Sequence, residues 1–292
     1  MDLTRFGLLA AIVIAGIAAA IAWFRSRGSA QFVRPPHPGE IAVGFLTEFG
    51  DTLGIGSFAP TTALFKLFKM VPDDLIPGTL IVGTMAGVIM QALIFITSVA
   101  VEPLLLASMV ILAALGAFLG AGVVARLPRR GVQLGMGLAL LVAGIVFACT
   151  NLKLLPGGGA ALSLVGWKFG VALASSFVLG ALMTIGIGMY APTMILVSLL
   201  GMSPVAAFPI MMGACALLQP VAAFKFISTA KFSFGAAVAL TLGGIVGVLL
   251  AAFVVKSLPL FWLRWLVVVV VLYAAVAMLR SFAARPEVSP RP

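Results

Sequence analysis

Nine apolar runs, at residues 6–24, 41–70, 76–100, 103–125, 131–150, 166–200, 205–227, 232–256 and 259–281, take up most of this sequence and leave it few ways to fold. A helix that crosses the hydrocarbon core of a bilayer needs about 20 apolar residues. Seven of the runs fit that length, whereas 41–70 and 166–200 are too long for one simple helix and are each interrupted by Gly-x-Gly. Only 9% of the 292 residues are charged, against about 25% in ordinary soluble domains. Too little polar side chain is present to cover a water-facing surface, and the reading is an all-α polytopic membrane protein whose partner is the lipid bilayer.

The net charge of +10 would suggest nucleic acid in a soluble protein. Here the basic residues lie mainly between apolar runs, where anionic headgroups and the positive-inside rule favour them, and no basic stripe alternates with aromatics. Nucleic acid is therefore not an expected partner. Cys149 and Cys215 both fall in apolar segments, too isolated for a disulfide framework or a metal site. His37, in the Pro35–Pro38 linker, reads as a solvated loop residue. No P-loop, zinc motif or Ser-His-Asp set occurs, so neither an enzyme nor an ATP-driven pump is expected, and no cofactor or metal. Arg25, Arg27 and Arg34 follow the first run, the reverse of a signal peptide, which makes it a retained helix ending in the cytoplasm.

The two interrupted runs are related. Shifted by 132 residues, 45–77 lies on 177–209 without a gap, with thirteen identities that include Thr52/Thr184, Gly54/Gly186, Ile55/Ile187, Gly56/Gly188, Pro60/Pro192, Thr61/Thr193 and Pro77/Pro209. Apolar bias inflates Leu and Ala matches but not matched Thr, Pro and Gly in one register. The chain divides into an N-terminal helix and linker (1–38), a first repeat (39–150), a linker (151–160), a second repeat (161–284) and a polar tail (285–292). Each repeat is one broken element followed by three helices. Charge tests how the broken elements sit. If both span, the 18 Lys and Arg divide 8 to 10; if both are re-entrant hairpins, they divide 5 to 13. The positive-inside rule selects the second arrangement, with the C-terminus cytoplasmic and the repeats inverted, an architecture of secondary transporters.

Each motif, Thr52–Thr61 and Thr184–Thr193, places two glycines where a sharp reversal needs positive φ, then Ala-Pro where a new helix begins. A hairpin tip buried in protein frees backbone N–H groups and aims a positive helix end at them, which favours an anion. The candidate substrate-binding residues are Thr52, Gly54, Gly56, Ser57, Thr61, Thr184, Gly186, Gly188, Tyr190 and Thr193. The plainer alternative is a kink at a packing contact, with each Thr bonded to its own backbone.

Glu48 and Asp51, three residues apart on one helix face, precede the first tip and have no counterpart at Gly180 and Met183. Carboxylates inside a membrane are expensive and usually functional, so proton coupling is one reading; a capping or structural carboxylate paired with a nearby lysine, such as Lys66 or Lys225, is the other. Gln91 and Gln219 read as interhelical hydrogen-bonding residues, and Gly116/Gly120, Gly166/Gly170 and Gly243/Gly247 as close helix packing.

With the Gly-Ile-Gly turn followed by Pro in both halves, the chain resembles the TauE/SafE family of sulfite exporters and related permeases. The resemblance covers about residues 41–281 and leaves the first helix as an addition. It implies transport of sulfite, a sulfonate or another small organosulfur anion across the cytoplasmic membrane, with the glycine motif on Gly54-Ile55-Gly56 and Gly186-Ile187-Gly188. Where the common family form continues with more glycine, this chain has Ser57-Phe58 and Met189-Tyr190, which would line the site with bulkier side chains. A homodimer is compatible with this reading. Two rivals stay open: a carrier of a cation or neutral solute held by Glu48 and Asp51, and a membrane assembly subunit that transports nothing.

Overall fold

The computed structural model describes residues 2–28, 33–124, 128–152, 154, 159, 161–183 and 188–283. Among these it is helical throughout, with one isolated bridge between Ala161 and Met202. The helices are α1 (Leu3–Arg25), α2 (Pro38–Thr52), α3 (Phe58–Leu67), α4 (Ile76–Ser98), α5 (Pro103–Val124), α6 (Arg129–Asn151), α7 (Trp167–Met183), α8 (Tyr190–Leu199), α9 (Ala207–Ser228), α10 (Phe234–Ser257) and α11 (Leu260–Ala283). Seven of them (α1, α4, α5, α6, α9, α10 and α11) are long and apolar enough to cross a membrane. Large apolar side chains such as Phe118, Val142, Phe253 and Val269 stay exposed along them, as lipid-facing surface requires. The chain is a polytopic membrane protein.

Local chemistry sets the helix starts. His37 is not a free loop residue but the cap of α2: its Nδ1 accepts from the Gly39 N–H at 3.1 Å while Glu40 accepts from the His37 N–H at 3.3 Å. Glu102 caps α5 in a similar way, accepting from the N–H groups of Leu104 and Leu105 at 2.9 and 2.6 Å. Pro60 and Pro192 fall in the first turns of α3 and α8, where a missing N–H leaves no helical bond unmade.

The two interrupted runs are both hairpins. At one end of the molecule α2 begins where α3 stops: Arg34 pairs with Glu40 and donates to the Met70 carbonyl at 2.9 Å, with the Met70 side chain packed at Gly39. The start of α4 and the α9–α10 turn share that end, the Ser233 N–H donating to Thr79 Oγ1 at 2.8 Å. At the far end of α4 the second hairpin closes, Lys168 Nζ donating to the Leu200 carbonyl at 3.0 Å and the Glu102 N–H to the Leu162 carbonyl at 2.9 Å. The hairpins thus open toward opposite ends. Each arm α3 and α8 has 10 residues, about 15 Å at 1.5 Å per residue and half a bilayer core.

Helix pairing follows a pattern. α2 packs along α10 and α7 along α5, while α4 pairs with α9 and α6 with α11 at the centre and the flank; α1 lies outside, against α9 and α4. Glycines let the α2–α10 and α5–α7 seams close backbone to backbone: Gly243 faces the Ile41 carbonyl, Gly247 that of Phe45, Gly116 that of Phe177 and Gly180 that of Ala113. The Gly166/Gly170 pair, by contrast, has no neighbour within 4 Å at either Cβ position, and the expectation of close packing there is corrected.

Labelling checks this arrangement. In a background lacking Cys149 and Cys215, cysteines at Lys66 and Ser281 should react from one side of a sealed vesicle and a cysteine at Lys256 only from the other. Lys66 and Lys256 reacting from the same side would break the hairpin geometry.

Candidate functional site

The tip of the first hairpin turns through Gly54 and Gly56, at φ of 99° and 88°, values that strain any L side chain. A side chain at Gly54 would also collide with Met194 of α8, so the first tip rests directly on the second hairpin. Thr184, Gly186 and Ile187 of the second tip lie outside the described residues, as does Ile185. Gly188 lies just beyond them, and Tyr190 opens α8.

Tyr190 makes the link between hairpins. Its hydroxyl donates to Asp51 Oδ2 at 3.1 Å. Asp51 Oδ1 accepts the Ser57 N–H at 2.6 Å across the tip, and Gln91 of α4 donates through Nε2 to Asp51 Oδ2 and to Thr52 Oγ1, both at 3.0 Å. Glu48, one turn before Asp51, is more sparsely served. Among the described residues only its Oε2 is reached, by Gln91 Nε2 at 3.5 Å, and its Oε1 has no partner. Glu48 is 0% exposed and Asp51 4%. The site is closed, with both carboxyl groups shut off from water.

Glu48 fits because two neighbours lack side chains. A Cβ on Gly87 of α4 would stand 2.5 Å from Glu48 Oε2, and one on Gly244 of α10 would stand 2.9 Å from Glu48 Cγ. Among the described residues no lysine answers the pair. Lys66 is half exposed and sits 3.6 Å from Asp73, and Lys225 is exposed, so the structural reading through either lysine is corrected. Among the described residues no ion pair reaches Glu48 or Asp51. Moving a carboxylate out of water without a counter-charge costs several kcal/mol even after relaxation. A proton or a bound cation removes that cost.

Of the hydroxyls expected to serve a ligand, several are turned elsewhere. Thr52 and Thr61 donate back to the carbonyls of Glu48 and Ser57, at 2.8 and 2.7 Å, the i−4 pattern of a helix. The Ser57 hydroxyl stands beside both carboxyl groups without closing a well-formed bond to either. Thr193, 1% exposed in the first turn of α8, has no partner for its hydroxyl among the described residues. Gln219, as expected, bonds between helices, to the Ile81 carbonyl at 3.1 Å and to Thr84.

The residues that sequence reasoning missed are Gly87 and Gly244, which seat Glu48, and Cys215 of α9, a buried neighbour of Tyr190 and Asp51. A lone glycine in an apolar helix carries no signal of what it faces. No family model matches the chain, and neither do the curated proteins or the solved structures compared with it.

Proposed function

We propose that this protein is a secondary transporter of the cytoplasmic membrane, built from two inverted repeats with re-entrant hairpins, that moves a small anion together with protons. The observation that carries this reading is the pair Glu48 and Asp51, buried side by side where the two hairpins meet and given no cationic partner among the described residues. The pairing of α2 with α10 and α7 with α5, beside α4 with α9 and α6 with α11, is what a two-fold relation between repeats would produce, and the opening of the two hairpins toward opposite ends supports their inversion. The glycine motif and its resemblance to TauE/SafE permeases suggest sulfite, a sulfonate or another organosulfur anion as cargo.

On this reading the anion binds at the N-terminus of α8. Backbone N–H groups are unpaired at a helix start, and the Thr193 hydroxyl is buried there with its proton uncommitted. Tyr190, in that same turn, touches Asp51. An anion arriving beside a charged carboxyl pair in this closed site meets strong repulsion, and each proton taken up by the pair weakens it. Anion and proton then cross together. A second reading has a contact in its favour: Asp51 already holds the Ser57 N–H, a donor an anion at the first tip would need. On that reading the pair binds a cation or a neutral solute directly.

Flux into proteoliposomes separates these. Labelled sulfite and taurine should accumulate when a pH gradient is imposed, and Glu48→Gln should keep downhill flux while losing the response to the gradient. Anion flux that ignores the gradient in both proteins removes the coupling role. Uptake of cations but not anions selects the second reading, and no flux of any solute overturns transport altogether.

A further inference from the structure

Donors are divided unevenly between the two carboxyl groups, and Gln91 of α4 sets the division. Its amide nitrogen carries two N–H bonds. The 3.0 Å contacts to Asp51 Oδ2 and Thr52 Oγ1 use both, so the 3.5 Å approach to Glu48 Oε2 has no proton left to give. Turning the amide over is disfavoured at two atoms. The Thr52 hydroxyl already donates to the Glu48 carbonyl at 2.8 Å and has no second proton for an amide oxygen. The same oxygen would also face Asp51 Oδ2. Thr52 therefore fixes the orientation of Gln91, with its N–H toward Asp51.

We infer that Gln91 is a positioning residue that keeps Asp51 ionised and leaves Glu48 to carry the coupling proton alone; the inference rests on reading this pair as the coupling site. A proton on Asp51 would sit on an oxygen that already faces donors. Oδ1 meets the Ser57 backbone N–H at 2.6 Å, which cannot turn away, and Oδ2 meets the Gln91 amide and the Tyr190 hydroxyl at 3.0 and 3.1 Å. Hydrogen bonds of this kind favour the charged carboxylate. Glu48 has no such commitment. Its neighbour is the Ser57 hydroxyl, which serves either state, donating to the carboxylate or accepting from the acid. Glu48 can thus gain and lose a proton without disturbing the bonds that hold the tip, and Asp51 cannot. Among the described residues the titratable groups facing the pair are Tyr190 from α8 and Cys215 from α9. The other neighbours are Gly87 and Gln91 of α4, Gly244 and Val248 of α10 and, at the tip, Val270 of α11, none of them ionisable.

Infrared spectra of the purified full-length protein test this with no transport step involved. At about pH 7 ordinary carboxyl groups, which titrate near pH 4, are ionised, so the stretch of a protonated carboxyl reports the buried pair. That stretch should shift in protein grown with heavy-carbon glutamate but not with heavy-carbon aspartate, and it should be lost in Glu48→Gln. Gln91→Met, of similar length but without a donor, should bring in a second stretch that shifts with labelled aspartate. Should Gln91→Met not fold, Thr52→Val frees the amide to turn over and should bring in the same aspartate stretch. An aspartate stretch in the unaltered protein, or no protonated stretch at all, overturns Glu48 as the carrier. No aspartate stretch in the variants overturns the role of Gln91. If the stretches appear as expected and no solute moves, the transport reading fails while the placing of the proton stands.

Discussion

Alanine at Gly116 or Gly243 is expected to destabilise the protein, while alanine at Gly135 or Gly170 is expected to stabilise it. All four glycines lie inside helices, in α5, α10, α6 and α7 respectively, so helix propensity alone would gain about 1 kcal/mol at each. The difference lies in what stands opposite. A methyl group on Gly116 would run into the Phe177 carbonyl, and one on Gly243 into the Ile41 carbonyl. These are backbone atoms of paired helices, which cannot turn aside as a side-chain end can. Relief requires α5 to separate from α7, or α10 from α2, and overpacking of this kind costs typically about 1–3 kcal/mol and at times more. Gly135 and Gly170 are exposed and have nothing within 4 Å of a built Cβ. Melting of the four purified variants by size exclusion after heating would show two early losses and two gains. Four equal shifts would mean that the two seams are not closed as described.

The seams show where sequence reasoning reaches its limit. Gly116, Gly166, Gly170 and Gly243 all stood in the same four-residue spacing, and nothing in that spacing separates a glycine pressed on a backbone from one facing outward. The hairpins were legible for a different reason. The runs 41–70 and 166–200 exceed one span, and their glycines and prolines fall in one register, so chain length and φ both demand a turn. The charge count pointed the same way, and the structure groups Arg34, Lys66 and Lys231 at one end and Arg5 and Lys168 at the other.

At the site, Glu48 and Asp51 stood out because carboxylates are costly in lipid, and Gln91 because an amide in an apolar helix needs a partner. Which partner it takes depends on the tertiary approach of α4 to α2, which no local pattern encodes. Tyr190 was recognised as a donor, but its acceptor lies 139 residues away in the chain. The hydroxyls of Thr52 and Thr61 were counted as donors to a ligand, and the helix ladder had the prior claim on them.

Asp51→Ala should be the most damaging single change at the site. It removes the one acceptor shared by the Ser57 N–H, the Gln91 amide and the Tyr190 hydroxyl, and all three donors are buried. A buried donor left unpaired costs about 1–3 kcal/mol. Three of them together approach the about 5–15 kcal/mol by which a whole domain is stable. The Ser57 bond spans the tip itself, so its loss also frees Gly54 and Gly56 to leave the positive-φ region they now hold. Asp51→Asn keeps one oxygen, which can serve Gln91 and Tyr190 but then turns an NH2 group toward the Ser57 N–H. Tyr190→Phe removes one donor and one bond, a loss of about 0.5–1.5 kcal/mol. The expected order of melting temperature is therefore wild type, then Tyr190→Phe, Asp51→Asn and Asp51→Ala, with the last poorly folded. A wild-type melt for Asp51→Ala would mean that the tip does not depend on these bonds. Asp51→Asn carries the further information, because it folds without the charge. If it transports anions but no longer follows a pH gradient, the carboxyl group that holds the hairpins together is also part of the group that moves the proton.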